Sequence, residues 1–420
     1  MNEVPELLFL SHRVPYPPDK GEKIRAWHIL KYLAGSHNVH LGCLADDVGE
    51  LGQLGELRRL CASVGCFPVI PLIQKGRAFL RMQSGRPLTV DVFDNNGLRQ
   101  WVTQTLSKKS VSRVFVYSSA MAGYVTHYKD GIRILDMVDI DSEKWRAYAR
   151  CHRWPMRALY AREADTLLAL ERQLVRQFDF TLFVSEAEAS RFAVLAPESD
   201  GRIGWMDNGV DLETFSPKHT FASPYARGST NIVFTGTMNY WPNIDAVKWF
   251  AETTLPRVRE KYWSANFYIV GAKPHQAVRR LDRNPGVVVT GRVPDVRPFL
   301  AHADVVVAPL RIARGTQNKI LEAMAMARPV VATPEGFEGL RAIPGRDLLI
   351  AKTPDAIAQS IIDILDNRHP HLASAARRAV EDNHQWTRTL QALDAIFAPT
   401  GNGRETGVDV GFTHAASHLT

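Results

Sequence analysis

Short apolar runs alternate with helix-length stretches through the first half of the chain. The candidate strands lie at residues 7–11, 39–44, 69–73, 114–117, 133–137 and 181–184, and helical patterns cover residues 22–34 and 158–177. Pro71 restricts the third run to an edge strand at most. Because apolar strands alternate with helices, the pattern predicts a parallel sheet covered on both faces.

The second half repeats this rhythm more plainly. Its candidate strands are residues 232–235, 267–270, 287–290, 305–308, 330–332 and 348–350, and its candidate helices are residues 243–250, 296–301, 317–326 and 354–365. Asn243 follows Pro242 and is predicted to cap a helix. Gly236, Gly271 and Gly291 each follow a strand, where a backbone can closely approach a ligand.

The pattern therefore predicts an α/β protein with two Rossmann-like domains that face each other across an interdomain cleft. A polar stretch at about residues 207–230 has no clear periodicity and is interpreted as a linker. We expect an N-terminal domain over residues 1–215 and a C-terminal domain over residues 216–385. A helix within 386–400 should pack back on the N-terminal domain, and residues 401–420 should be disordered.

Composition agrees with an enzyme-sized globular protein. The 420 residues are 45% hydrophobic and 23% charged, which excludes a mainly disordered or collagen-like chain. The net charge of +7 is too small for a dedicated nucleic-acid binder and suits an anionic small molecule or membrane surface.

The cysteines and the N-terminus indicate where the protein works. The four cysteines include no CxxC pair and are interpreted as reduced thiols rather than zinc ligands. The first residues lack the pattern of a signal peptide, and no run approaches the roughly 18 apolar residues of a membrane span. We therefore expect a cytoplasmic protein.

The segment at residues 313–340 carries the clearest candidate chemistry. The turn Gly315-Thr316 precedes a predicted helix that carries Lys319 and Glu322. Amides at a helix start bind anions, and the Lys319 ammonium suits a diphosphate. Glu322 lies on nearly the same face and can accept two hydrogen bonds from a ribose. The alternative is an ordinary helix start with a surface ion pair.

These residues resemble a known family. Residues 315–332 look like the donor-site signature of retaining glycosyltransferases of family 4, which have the GT-B fold. Phe234-Thr235-Gly236, residues 291–293, residues 208–211 and Gly21 follow in the family's order, so the resemblance covers nearly the whole chain. More narrowly, the runs FTGTMNYWPNIDAV and RGTQNKILEAMAMARPVV resemble sugar transferases of bacterial exopolysaccharide loci of the PEP-CTERM/exosortase type.

The resemblance implies roles for individual residues. Glu322 matches the glutamate that holds the nucleotide ribose, Gly291 and Val293 match the turn beside the nucleobase, and Gly236 matches the glycine near the donor phosphates. Lys319 matches a basic residue that some subgroups place before the glutamate.

Two positions depart from the family pattern. Arg314 stands where a first glutamate would contact the donor sugar, and Thr237 stands where the family often has arginine. We therefore expect Arg314 and Lys319 to face the donor phosphates, beside the amides of Gly315 and Thr316.

Candidate residues of the N-terminal half follow predicted strands. Gly21 lies on the first βα loop, where GT-B enzymes bring a glycine backbone close to donor phosphate and acceptor; the alternative is a surface loop without a ligand. Asp139 follows another strand, is expected to line the cleft against the transferred sugar, and with Lys319 is one of the two expected catalytic residues. Ser142 and His12 are expected to contact the acceptor or the transferred sugar. Acids in this segment could equally be metal ligands or solvated loop residues, but the family needs no metal, and we expect no cofactor.

Basic and aromatic side chains interleave over residues 144–162. Arg146, Arg150, Arg153 and Arg157 recur at helical spacing among tryptophans and tyrosines, although Pro155 would interrupt a single helix. This composition suits an anionic membrane surface or a lipid diphosphate. A nucleic acid would use the same chemistry, and a solvated helix face is the third alternative.

Taken together, the sequence predicts a retaining glycosyltransferase of the hexosyltransferase class. It would move a sugar from a nucleotide-diphosphate sugar to a carbohydrate or polyprenyl-diphosphate-linked acceptor in exopolysaccharide biosynthesis, at the inner face of the cytoplasmic membrane. A GT-B nucleotide-sugar epimerase would need several acids and a histidine around the sugar, and only His12 is suitably placed. A non-catalytic nucleotide-sugar sensor or assembly protein is the other alternative, consistent with Arg314 in place of the first glutamate.

Overall fold

The computed structural model describes residues 4–46, 48–52, 54–69, 85–199, 201–313 and 315–397. The chain divides into two compact units, one of Met1–Met206 with Leu390–Thr420 and the other of Asp207–Thr389. The division falls after Met206, whereas the sequence placed it after residue 215. Arg314, most of the run at 69–73 and the tail predicted to be disordered lie outside the described residues.

The first unit contains a parallel sheet in the order β3-β2-β1-β4-β5-β6-β7. Its strands are β1 Glu6–Ser11, β2 Asn38–Ala45, β3 Ser63–Pro68, β4 Val111–Tyr117, β5 Ile132–Val138, β6 Phe180–Phe183 and β7 Ile203–Trp205. Its helices include α1 Gly21–Ala34, α2 Val48–Leu51, α3 Gly55–Leu60, α4 Leu88–Val92, α5 Asn96–Lys108, α6 Asp141–Cys151, α7 Met156–Gln177 and α8 Glu186–Leu195. The central strands are apolar and buried, as the sequence predicted for a sheet covered on both faces.

A buried ion pair anchors α1 to the sheet. Arg25 is 1% exposed, and its Nε donates to Asp136 Oδ2 at 2.8 Å while its Nη1 donates to the carbonyl oxygen of Met206 at 2.7 Å. The other carboxylate oxygen of Asp136 accepts from Val138 N at 3.0 Å. One guanidinium therefore joins α1, the end of β5 and the last residue before the second unit.

Helices α6 and α7 form a hairpin with an exposed tip. Pro155 lies between them, as its position in the sequence predicted, so the segment forms two helices rather than one. The rings of Trp145 and Tyr160, one on each helix, lie 5.3 Å apart between centroids. Trp154, at the tip itself, is 82% exposed.

The second unit contains a parallel sheet in the order β10-β9-β8-β11-β12-β13. Its strands are β8 Thr230–Thr235, β9 Ala265–Val270, β10 Val287–Gly291, β11 Val305–Ala308, β12 Val330–Ala332 and β13 Leu349–Ile350. Its helices are α9 Trp241–Trp249, α10 Leu255–Lys261, α11 Gln276–Arg279, α12 Arg297–Ala301, α13 Asn318–Ala325, α14 Pro334–Phe337, α15 Pro354–Leu365, α16 Leu372–Asn383 and α17 Trp386–Thr389. A π-helical turn, Phe250–Thr254, joins α9 to α10.

The stretch predicted as a linker is an ordered part of the second unit. Phe215, Phe221 and Tyr225 pack against its apolar core, and the Tyr225 hydroxyl donates to Phe299 O at 2.6 Å. Partly buried aromatic side chains at irregular spacing give no helical or strand period, which is why the sequence pattern did not reveal their packing.

After the second unit the chain returns to the first. A short helix, α18 Ala392–Phe397, ends the described residues. The Tyr32 hydroxyl of α1 donates to Asp394 Oδ2 at 2.6 Å, and Arg113 Nη2 of β4 donates to Phe397 O at 2.8 Å. These contacts tie the returning segment to the first unit. Within the part of the chain that the structure describes, no helix has the length and apolar character needed to cross a bilayer.

Candidate functional site

Glycines stand at the same edge of the second sheet, where three neighbouring strands end. Gly236 and Gly271 follow β8 and β9, and Gly291 ends β10. Gly271 N donates to Gly291 O at 3.1 Å, and Gly236 N donates to Val270 O at 3.0 Å. A Cβ atom added to Gly271 would lie 1.7 Å from Gly236 O, so the two turns can approach this closely only with glycine.

Helix α13 begins beside a glycine turn, as the sequence predicted. Gly315 has φ +61, a left-handed conformation that favours glycine, and Gln317 is the N-cap residue. The side chain of Gln317 makes no capping hydrogen bond to α13, and Thr316 Oγ1 donates to Gly339 O at 3.1 Å. Backbone amides at the positive end of a helix dipole favour an anion, so the start of α13 is a candidate anion site.

Lys319 connects α13 with the first turn of α9 and, through Asn243, with the loop that follows β8. Its Nζ donates to Asn243 Oδ1 at 2.8 Å and lies 4.5 Å from the centroid of the Phe234 ring. Asn243 Nδ2 in turn donates to Thr237 O at 3.0 Å. The lysine predicted to face a phosphate is therefore held next to Gly236.

The charges of Lys319 and Glu322 are both disfavoured by burial. Burial lowers the pKa of Lys319 from an ordinary value of 10.5 to about 7, although the nearby Glu322 carboxylate opposes the shift. Burial raises the pKa of Glu322 from 4.5 to about 7, and the Lys319 charge opposes that shift. Such a pair of desolvated groups, with perturbed pKa values in opposite directions, is typical of a functional site.

The prediction that Asn243 caps a helix is wrong. Helix α9 begins at Trp241 with the extended residue Tyr240 as its N-cap, so Asn243 lies inside the first turn. Its side chain instead bridges Thr237 and Lys319. The contact with Lys319 spans 76 residues, and no local pattern could reveal it.

Other residues of the second unit support the start of α13. Asn208 Nδ2 donates to Asn318 Oδ1 at 3.1 Å. His384 Nδ1 lies 2.9 Å from Asn208 O, and His384 Nε2 accepts from Arg341 N at 3.0 Å, so the ring is neutral with its proton on Nδ1. Burial lowers the pKa of His384, which favours this neutral form. Val293, predicted to lie beside a nucleobase, follows Gly291 and is partly buried against the apolar core.

The first unit has unusual backbone at the carboxyl ends of β4 and β5. Ser118 directly follows β4 with φ +83, and Val138 ends β5 with φ +66. A β-branched residue rarely adopts such a conformation, and backbone strain of this kind clusters at functional sites. Neither residue was singled out in the sequence, because strain depends on the fold around them.

His12 lies at the same edge, directly after β1. Its Nδ1 atom is buried and has no hydrogen-bond partner among the described residues. The imidazole stacks on Tyr117 with centroids 5.8 Å apart, and burial lowers its pKa. The neutral ring can accept a hydrogen bond from a ligand hydroxyl through whichever nitrogen lacks the proton.

Asp139 follows β5 at this edge. Burial raises its pKa from 3.8 to about 7, and the negative charge of Glu188 adds to the shift while Lys144 opposes it. In the regions of the chain that the structure describes, Asp139 Oδ1 is buried without a hydrogen-bond partner. Asp139 and His12 thus present buried polar atoms at the ends of β5 and β1, which flank β4 in the sheet, as expected for groups that contact a polar ligand.

Ser142 occupies a different environment from the one predicted. It is fully buried, its Oγ donates to Glu171 Oε2 at 2.5 Å, and its N donates to Glu171 Oε1 at 3.1 Å. Burial raises the pKa of Glu171 to about 8. With both polar groups engaged inside the protein, Ser142 positions the start of α6 rather than a sugar. Gly21, by contrast, is exposed at the start of α1.

No group of three or more histidine, cysteine, aspartate or glutamate side chains that could hold a metal ion occurs among the residues described here.

The site residues that the sequence predicted are distributed over both units. Lys319, Glu322, Gly236 and the Gly315 turn belong to the second unit, and His12 and Asp139 belong to the first.

The second unit contains a match to a known protein family. Residues 229–367 match the family described as Glycosyl transferases group 1. No curated protein matches the chain significantly.

Similar solved structures cover both units. HepE of Anabaena, in complex with UDP and glucose, superposes with a TM-score of 0.66 at 16% identity over 93% of this chain and 98% of that one. Sucrose-phosphate synthase of Thermosynechococcus elongatus gives a TM-score of 0.69 at 15% identity over 94% and 98%. WaaG, a glycosyltransferase involved in lipopolysaccharide biosynthesis, gives 0.64 at 14% identity over 94% and 100%. The chain therefore has the GT-B fold, as the sequence predicted, and its second unit carries the match to group 1 glycosyl transferases.

Proposed function

We propose that the protein is a retaining glycosyltransferase that uses a nucleotide-diphosphate sugar and a carbohydrate or lipid-linked acceptor in exopolysaccharide assembly. The match of residues 229–367 to group 1 glycosyl transferases and the GT-B fold support glycosyltransferase activity. The observation that carries the donor assignment is the start of α13 after the Gly315 turn, with Lys319 and Glu322 desolvated beside it. HepE, a structural neighbour, binds UDP and glucose.

In this proposal the second unit binds the donor. The anionic diphosphate would lie at the start of α13, against the amides of Gly315 and Thr316 and near Gly236. Lys319 would neutralise the charge that develops as the diphosphate leaves, and Arg314 would add a second cation. The ionised Glu322 carboxylate would accept hydrogen bonds from the ribose. Gly291 and Val293 would border the nucleobase.

We propose front-face displacement as the reaction. The bond between the anomeric carbon and the diphosphate oxygen breaks, and the acceptor oxygen forms its bond on the same face of the sugar. A diphosphate oxygen takes the acceptor proton, so the reaction needs stabilisation of the leaving group more than a strong base. In this scheme Asp139 and His12 contact the transferred sugar or the acceptor, and Ser142 acts only by positioning α6.

We further propose that the tip of the α6–α7 hairpin contacts an anionic membrane surface. Arg150, Arg153 and Arg157 are exposed there around the 82% exposed Trp154. A basic residue near such a surface contributes roughly 1 kcal/mol, and an indole suits the interface. Replacing the three arginines with glutamine should abolish sedimentation with anionic vesicles, whereas replacing the exposed Arg279, Arg280 and Arg283 of the second unit should not. Equal sedimentation of both variants would contradict the proposal.

The donor assignment is tested by thermal shift with nucleoside diphosphates and their sugars. A ligand that binds only the folded protein raises its melting temperature, and the stabilisation grows with the logarithm of the ligand concentration over the dissociation constant. At least one nucleotide sugar should do so for the parent and equally for Glu260→Ala, a control at an exposed glutamate of the second unit, but by a smaller amount for Glu322→Ala at the same concentration. Slow hydrolysis of that donor without acceptor supports a transferase, and binding without any turnover would instead favour a nucleotide-sugar sensor.

A further inference from the structure

One face of α9 carries a surface groove that the donor site does not use. The cavity has a volume of about 420 Å³ and is lined by Trp241, Ile244, Asp245, Lys248, Trp249, Glu252, His275, Ala277 and Arg311. Most of these residues recur at helical spacing along α9 and its π-helical continuation. Asn243, which holds Lys319, lies at about 200° around the helix from Trp241 at 100° per residue, so it points away from the groove.

The groove combines an apolar floor with aromatic walls. Ile244 is buried to 6% exposure, whereas Trp241 is 45% exposed and leaves much of its indole open. The π-helical turn brings Glu252 to the far end, and such turns occur frequently at functional sites. An open indole over an apolar floor matches a flat ligand with one apolar face.

The charges of the groove are balanced. Arg311 Nε donates to Asp245 Oδ2 at 2.9 Å, and the guanidinium lies 5.3 Å from the centroid of the Trp249 ring. Lys248 and Glu252 add one charge of each sign. An anionic ligand such as a phosphate gains no net attraction here, in contrast to the start of α13. The carboxylates still offer hydrogen-bond acceptors, and the cations offer hydrogen-bond donors close to them.

We propose that this groove binds a neutral saccharide. A sugar ring presents an apolar face of C–H groups to an aromatic side chain and a rim of hydroxyls that both donate and accept hydrogen bonds. Trp241 supplies the stacking surface, Asp245 and Glu252 accept from the hydroxyls, and Lys248 and Arg311 donate to them. The volume accommodates a short oligosaccharide segment rather than a whole polymer.

Saturation-transfer NMR on the full chain tests this proposal with four neutral tetrasaccharides: cellotetraose, laminaritetraose, maltotetraose and mannotetraose. At millimolar concentration at least one should receive saturation, and the anionic tetragalacturonate should receive less. Trp241→Ala should weaken binding about tenfold, since the stacked face buries apolar surface. The matched control is Trp263→Ala, because Trp263 is 79% exposed in the same unit but does not line the groove.

Competition separates the groove from the donor site. Adding UDP or GDP should leave the saccharide signal unchanged, and Glu322→Ala should bind the saccharide like the parent. Three results would overturn the proposal: no neutral tetrasaccharide binds, Trp241→Ala binds like the parent, or a nucleoside diphosphate displaces the sugar. Only the last of these would assign the saccharide to the donor site, so failure of the groove and failure of the donor assignment remain distinguishable.

Discussion

Binding of a nucleoside diphosphate should change from proton release to proton uptake as the pH rises through about 7. The reason is that Lys319 and Glu322 both titrate near this pH in the free protein. A bound diphosphate favours the charged ammonium, and a bound ribose favours the charged carboxylate. Binding therefore adds a proton to Lys319 above about pH 7, where the lysine is neutral in the free protein, and removes one from Glu322 below about pH 7, where the carboxyl is neutral.

The magnitude follows from the two pKa values. At about pH 8 only about a tenth of Lys319 is protonated, so a complex with the charged lysine takes up about 0.9 proton. At about pH 6 only about a tenth of Glu322 is ionised, so a complex with the carboxylate releases about 0.9 proton. Lys319 is already charged at the lower pH and Glu322 at the higher, so each contributes on one side only.

Calorimetric titration with UDP in buffers of different ionisation enthalpy measures this proton number. Lys319→Met should lose the uptake near pH 8, and Glu322→Gln should lose the release near pH 6. The terminal phosphate of the nucleotide titrates near pH 6 and adds its own release there, but Glu322→Gln keeps Lys319 beside the phosphate, so this contribution cancels between that variant and the parent. The Lys319→Met comparison is made near pH 8, where the free phosphate is already ionised. Parent and variants with the same proton number at both pH values would refute the reasoning.

Three further outcomes are expected. Glu322→Ala should weaken nucleoside diphosphate binding by roughly 1–3 kcal/mol in calorimetry because ribose hydroxyls lose their acceptor, with Glu322→Gln milder; parental affinity would contradict the ribose contact. Lys319→Ala should lower turnover at saturating donor, through a loss of about 2–4 kcal/mol of transition-state stabilisation, and should change the donor Michaelis constant less; near-parental turnover would exclude this role of Lys319. Arg314→Ala should instead raise the donor Michaelis constant more than it lowers turnover. In urea unfolding, Arg25→Met should lower the free energy of unfolding by about 3–5 kcal/mol because Asp136 stays buried without its partner. The double variant with Asp136→Asn should lose less stability, and an equal loss would contradict this cause.

The sequence could predict those strands whose own residues are apolar enough to indicate burial. The runs that became β1, β2, β4, β5 and β6 and the strands of the second sheet are short and apolar, which is typical of central parallel strands. Strand β3 was missed because it contains Gly65 and ends at Pro68, residues that are rare in strands. A Cβ atom at Gly65 would lie 2.5 Å from the Trp101 ring, so the glycine is required by a distant side chain.

The residues of the candidate site likewise fall into those that local spacing could predict and those that it could not. The turn at Gly315 and the pair Lys319 and Glu322 lie within one short segment, and helical spacing was enough to place them together. The bridge through Asn243 joins two segments of the chain, and the interior position of Ser142 depends on Glu171 from another helix. Such contacts arise from tertiary packing, which no local period encodes.

The return of the chain to the first unit after the second has a consequence for synthesis on the ribosome. The second unit, Asp207–Thr389, is continuous and has all of its residues before the segment with α18 is made. The first unit receives the partners of Tyr32 and Arg113 only when Asp394 and Phe397 emerge. Domains of a growing chain generally fold in order from the N-terminus, yet here the domain that starts first is completed last. A chain stopped at residue 389 should therefore carry a finished second unit and a more protease-sensitive first unit.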